Sequence, residues 1–209
     1  MNGIYIADIG ADVAALTPAE ALAKARRTVS VLLHSLFPSA ELLHDEKGAP
    51  YLSEGAYRVS ISHSGSLVAV ALYEGTAVGV DVERIDQNEA RAARMEKRFL
   101  NCVPAEPREK ISHFPVYICT EAAENENNCF HFKKINIETC EKTEKDAWIV
   151  RWTQLEAVLK LSGDGFASYA RLGELWERSA IISFSLSDRT GERYAISVAL
   201  PRNSRPGRT

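Results

Sequence analysis

Two stretches of this chain share one plan, and that recurrence constrains the fold more than any other feature. Residues 59–72 read VSISHSGSLVAVAL, and residues 182–200 read ISFSLSDRTGERYAISVAL. Each is a strand, a polar turn and an apolar strand that ends in Ala-Leu. Each is also preceded by a strand and a helix. In the first half, Ile4 to Ile9 alternates apolar with small or polar residues, as a half-buried strand does. Thr17-Pro18-Ala19-Glu20 then supplies a cap, a proline at the first helical position and a glutamate at the third. Leu22, Val29, Leu32, Leu33 and Leu36 recur at helical spacing up to Pro38. In the second half, Ala77 to Ile85 reads as a strand, Asn88 to Leu100 has helical character, and Thr153 to Leu161 reads as a helix. A strand–helix–hairpin unit occurring twice predicts two related α+β halves packed together. The boundary falls near Gly75 to Val78: an N-terminal half over 1–77, a C-terminal half over 78–200, and a basic tail over 201–209. The stretch from Asp86 to Arg151, with Pro104, Pro107, Pro115 and the polar run 121–128, fits neither unit and reads in part as a surface excursion.

Composition narrows the function classes. The chain has 209 residues, 45% of them hydrophobic and 25% charged, enough for a sizeable core and unlike a disordered segment. The net charge of −3 speaks against a surface built for nucleic acid. No apolar run approaches the ~20 residues of a membrane-spanning helix. The start, MNGIYIADIGAD, lacks the basic region of a secretory signal. A cytoplasmic protein that acts away from membranes is expected. Cys102, Cys119, Cys129 and Cys140 form no C-x-x-C pair and their gaps do not resemble a zinc framework, with His131, two residues after Cys129, left as a residue that could join a metal site.

Three clusters could carry chemistry. In Val78-Gly79-Val80-Asp81-Val82-Glu83-Arg84 the valines point one way along a strand, and Gly79, Asp81 and Glu83 the other. Two carboxylates beside a glycine could seat a hard divalent cation, or the face could simply be an exposed strand surface. In Trp152 to Lys160, Trp152, Glu156 and Lys160 form one helical stripe, which also describes an ordinary surface Glu–Lys pair. Ser60-Ile61-Ser62-His63-Ser64-Gly65 at a strand end suits an anion contact or a plain turn.

Taken in order, Gly48-Ala49-Pro50-Tyr51-Leu52, Ser60 to Gly65, Val78 to Arg84, and Trp152 to Lys160 with Gly163-Asp164-Gly165-Phe166 behind it resemble the 4′-phosphopantetheinyl transferase superfamily. The likeness is to the longer, pseudo-dimeric type typified by the surfactin-synthetase activator, and its motifs frame residues 48–166. The G-x-D-x-E plus W-x-x-x-E-x-x-x-K combination carries it. The resemblance implies two similar α+β halves related by a pseudo-twofold. It also implies a reaction in which the phosphopantetheine arm of coenzyme A passes to a serine of an acyl or peptidyl carrier protein, releasing 3′,5′-ADP. Asp81, Glu83 and Glu156 would hold Mg²⁺. Glu156 would also activate the serine, and Lys160 would contact the phosphates. Ser62 and His63 would hold the nucleotide phosphates, with Lys47 and Arg27 as further anion contacts (Lys24 and Arg26 being the alternatives to Arg27). A monomer would suffice. Arg84, Arg91, Arg94 and Arg98 offer a basic surface to an acidic carrier protein.

The sequence departs from that pattern. Ala49 stands where the family has the Lys of G-K-P, and Leu155 where a basic residue often precedes the helix glutamate. These departures favour the alternative of an impaired relative that binds coenzyme A or a carrier protein without transfer. An unrelated metal-dependent phosphohydrolase is a further alternative.

Overall fold

A computed structural model describes residues 1–54, 56–85, 89–99, 111, 114–121, 129–135 and 147–202. Cys102, Cys140, the prolines at 104 and 107, nearly all of the polar run 121–128, and the tail beyond residue 202 lie outside the described residues. The described chain is a mixed α+β structure with one seven-stranded sheet, one three-stranded sheet and flanking helices.

The first sheet contains β1 (Gly3–Asp8), β2 (Leu42–His44), β3 (Pro50–Leu52), β4 (Tyr57–Ser64), β5 (Leu67–Glu74), β7 (Val116–Glu121) and β8 (Phe130–Ile135), in the order β2-β3-β4-β5-β1-β7-β8. The second contains β6 (Gly79–Arg84), β9 (Ser179–Ser187) and β10 (Arg193–Pro201), in the order β6-β10-β9. Helix α1 (Pro18–Leu36) begins where the sequence places it. Thr17 Oγ1 accepts from the Glu20 N–H, and the Thr17 N–H donates to Glu20 Oε2 at 2.9 Å, closing a capping box. Helix α2 (Glu89–Arg98) follows β6, α3 (Ala147–Leu161) precedes the closing hairpin, and α4 (Leu172–Glu177) leads into it.

Burial patterns stack these elements in four layers. Strand β5 is buried on both faces. Its Val68, Val70 and Leu72 pack with Val29, Leu32 and Leu33 of α1. Its Leu67, Ala69, Ala71 and Tyr73 meet Val80, Val82, Ile196 and Val198 of the second sheet. The far side of that second sheet carries α3 and α4 through Leu155, Val158, Leu159, Trp176, Ile181 and Ala199. The order is thus helix, sheet, sheet, helix.

Connectivity repeats in part as the sequence suggests. β1 is antiparallel to β5, which is antiparallel to β4; β6 is antiparallel to β10, which is antiparallel to β9. Within the stretch 86–151, two described segments join the first sheet. β7 lies parallel to β1, with Ile6 opposite Ile118, and β8 pairs antiparallel to β7. Residues from beyond the 77/78 boundary therefore extend the first sheet. Sequence missed these strands because a parallel partner is recruited from far along the chain, and breakers surround both.

Helix α3 is longer than its pattern suggests. It starts at Ala147 instead of Thr153, so Thr153 is internal: its hydroxyl donates back to the Val150 carbonyl at 2.9 Å. The preceding turn, AWIVRW, is apolar on nearly every side, so no amphipathic period marks its beginning.

Candidate active site

The site is built where β4, the free edge of β6 and helix α3 meet. Gly79 fixes the distance between strand and helix. A Cβ there would overlap the Ala157 carbonyl oxygen and lie 2.7 Å from the Leu161 nitrogen, so only a glycine lets the α3 backbone rest directly on β6. The face shared by Gly79, Asp81 and Glu83 is therefore covered by α3 and is not an exposed strand surface; Asp81 is 2% exposed. A hydroxyl network seats the other side of the helix. Thr153 Oγ1 and Ser197 Oγ lie 2.7 Å apart, Ser197 and Ser183 Oγ 2.9 Å apart, and Gln154 Nε2 donates to Ser183 Oγ at 2.9 Å.

The first sheet approaches the site through serines. The β6 edge offers unpaired backbone N–H groups that need acceptors when buried. Ser60 Oγ accepts from the Val80 N–H at 3.0 Å, Ser62 Oγ from Val82 at 3.3 Å, and Ser64 Oγ from Arg84 at 3.0 Å. Two of these hydroxyls pass their own protons to carboxylates. Ser62 donates to Asp81 Oδ1 at 2.8 Å and Ser64 to Glu83 Oε2 at 3.2 Å. An alternating serine pattern reads as a polar outer face, whereas here it is the inner face that joins the sheets. Sequence reasoning found Ser62 but missed Ser60 and Ser64; the signal available was three serines at strand period opposite G-V-D-V-E.

Asp81 is the centre of the arrangement. Its Oδ1 accepts from both Ser62 Oγ and Lys160 Nζ, each at 2.8 Å. Its Oδ2 is buried and has no hydrogen-bond partner, an uncommon situation for a buried carboxylate oxygen. Burial raises the Glu83 carboxyl above the usual carboxylate range, and the Asp81 charge adds to this. Burial also pushes Glu156 up to about 8; the Asp81 and Glu83 charges reinforce the shift, and Lys160 opposes it. Three carboxyl groups thus crowd a desolvated space, opposed by Lys160 at Asp81 and Arg91 at Glu83. Among the described residues, no group of three or more His, Cys, Asp or Glu side chains is gathered closely enough to form a finished metal cage. The donor chemistry does suit a hard cation: an orphaned oxygen on Asp81 and two carboxyls that a second positive charge would ionise.

A cleft opens beside it at His63. The His63 imidazole is pushed toward its neutral form, first by burial and then by the Lys160 and Arg26 charges. His63 and Arg26 both line a cleft of about 860 Å³ between α1 and the sheet, together with His34, His44 and Pro50. Arg27 is exposed and does not line that cleft. Lys47 Nζ sits 2.7 Å from Asp164 Oδ1, an ion pair that raises the lysine's pKa. Leu155 is fully buried among the α3 contacts.

The arginines nominated as a docking surface fare differently. Arg84 pairs with Glu192 at 3.1 Å. Arg91 approaches Glu83 to 3.6 Å and lies over the Trp148 ring at 5.8 Å. Arg94 is exposed, and the Arg98 side chain lies outside the described residues. Cys119 is buried in β7, which pushes its thiol up to about 12; Cys129 is exposed. No described helix is long and apolar enough to cross a membrane. No protein-family model matches the chain, and no curated protein matches it.

Proposed function

We propose that this protein is a Mg²⁺-dependent 4′-phosphopantetheinyl transferase that modifies a serine of an acyl or peptidyl carrier protein. The supporting observation is direct contact between three motifs far apart in sequence: Ser62, Asp81 and Lys160 form a continuous chain with 2.8 Å links. Asp81, Glu83 and Glu156 would hold the cation, whose charge would neutralise the pyrophosphate during transfer.

The remaining steps fall to the chain's own side chains. Glu156, whose carboxyl is kept protonated by burial until a positive charge ionises it, would then take the proton of the carrier serine. The serine oxygen forms a bond to the β-phosphorus, and the bond from that phosphorus to the bridging oxygen breaks, so 3′,5′-ADP leaves with the electron pair. Lys160, which holds Asp81 Oδ1 at 2.8 Å, would donate to the phosphate oxygens. Arg26 would offer positive charge and the neutral His63 imidazole an N–H donor to the nucleotide end in the cleft, and Lys47 would join them on leaving Asp164. In this reading β1-β5-β4 and β6-β10-β9 are the two pseudo-twofold halves, with the site between them.

The test is release of 3′,5′-ADP from coenzyme A with Mg²⁺, with and without an apo carrier protein. The transferase reading expects release only when the carrier is present. Release without it would identify a phosphohydrolase, and coenzyme A binding with no release would identify a non-catalytic relative.

A further inference from the structure

The serines of β4 do two different jobs, and the hydrogen bonds separate them. Ser60, Ser62 and Ser64 all accept from successive alternate N–H groups of β6. Only Ser62 and Ser64 also donate, each to the carboxylate one residue before its backbone partner: Asp81 for Ser62, Glu83 for Ser64. Each hydroxyl is thereby fixed from both sides. The backbone N–H occupies its lone pair and orients the proton, and the proton holds one chosen oxygen of the carboxylate. For Asp81 that choice has a visible consequence: Ser62 and Lys160 both take Oδ1, and neither reaches the buried Oδ2. Ser62 is 7% exposed, so water does not easily replace it.

We infer that Ser62 and Ser64 are positioning residues of the site, setting which oxygens of Asp81 and Glu83 face an incoming divalent cation. They act through the carboxylates, so the inference rests on the metal-binding part of the proposed function. It assigns the Ser62 hydroxyl to a carboxylate instead of a phosphate. Groups of this kind typically change metal affinity 10- to 100-fold when removed.

Ser60 supplies the control, since it shares the structural contact and reaches no carboxylate. The full-length protein and its Ser60→Ala, Ser62→Ala, Ser64→Ala and Ser62→Thr variants would be titrated with Mn²⁺ alone. Bound metal is followed by its electron paramagnetic resonance signal, and thermal stability is recorded in parallel. All three alanine variants lose an acceptor for β6, so each is expected to melt earlier. Mn²⁺ affinity should fall on the order of 10-fold for Ser62→Ala and Ser64→Ala, stay unchanged for Ser60→Ala, and recover in Ser62→Thr, which keeps the hydroxyl. Equal affinities in the Ser60, Ser62 and Ser64 variants would overturn the positioning role and leave the metal site standing. A native protein that takes up no Mn²⁺ would overturn both. Should Ser62→Ala not fold, Ser64→Ala at the half-buried strand end decides the matter against Ser60→Ala.

Discussion

Burial beside two other carboxylates holds the Glu156 carboxyl up to about 8, and Glu83 is shifted the same way. A folded protein that keeps protons the unfolded chain has lost is most stable below the unfolded carboxylate range. It loses that contribution as pH rises toward the folded value. Stability in chelator should therefore decline between about pH 4.5 and about pH 8 through these two groups. Comparing urea midpoints of the native protein and Glu156→Gln across that window isolates the effect. The variant is expected to show the shallower decline, and parallel curves would contradict the raised carboxyl. Asp81, Glu83, Glu156 and Lys160 stand out in sequence only through the combination of their two motifs, each of which alone reads as an ordinary surface, and the structure brings them together. Ser60 and Ser64 do not stand out: they are common residues whose role depends on a strand edge that no local pattern reveals.

Helix α3 and strand β6 meet without a side chain between them at Gly79. Gly79→Ala is expected to destabilise the protein by about 3 kcal/mol or more, because overpacking against backbone has no cheap relaxation. Gly173, in α4, has open space around its missing Cβ. Gly173→Ala should be neutral or stabilising, as alanine is the better helix former by about 1 kcal/mol. Urea denaturation of both variants checks the pair; a mild Gly79→Ala would mean that α3 does not rest on β6 as described. Element legibility followed local signals. The capping box at Thr17 and Glu20 announced α1, and the apolar runs of β5 and β10 after polar turns announced the hairpins. The start of α3, hidden in a turn that is apolar but for Arg151, and the parallel strand β7, set by a distant partner, carried no local mark.

The four layers share one central core in which Ile4, Ala69 and Tyr73 of the first sheet interlock with Val80, Ile196 and Val198 of the second. A core assembled from both sheets predicts a single cooperative transition. Trp148, Trp152 and Trp176 all belong to the α3–α4 layer, so tryptophan fluorescence reports that layer, while far-ultraviolet circular dichroism reports the whole chain. The two urea transitions are expected to coincide, and an earlier fluorescence transition would mean that the helical layer melts by itself. The mixed α+β class and the two hairpins, β4–β5 and β9–β10, were legible at this scale because the hairpins are marked in their own residues. The extension of the first sheet by β7 and β8 was not, since it depends on pairing across the whole molecule.

The central claim is transfer itself, and intact-mass spectrometry tests it most directly. Apo carrier proteins would be incubated with this protein, coenzyme A and Mg²⁺, alongside a Glu156→Ala control. The account predicts that a carrier gains the mass of one phosphopantetheine arm with the native protein and gains none with the variant. A native protein that binds coenzyme A yet leaves every carrier unmodified, or a Glu156→Ala variant that transfers at the native rate, would contradict it.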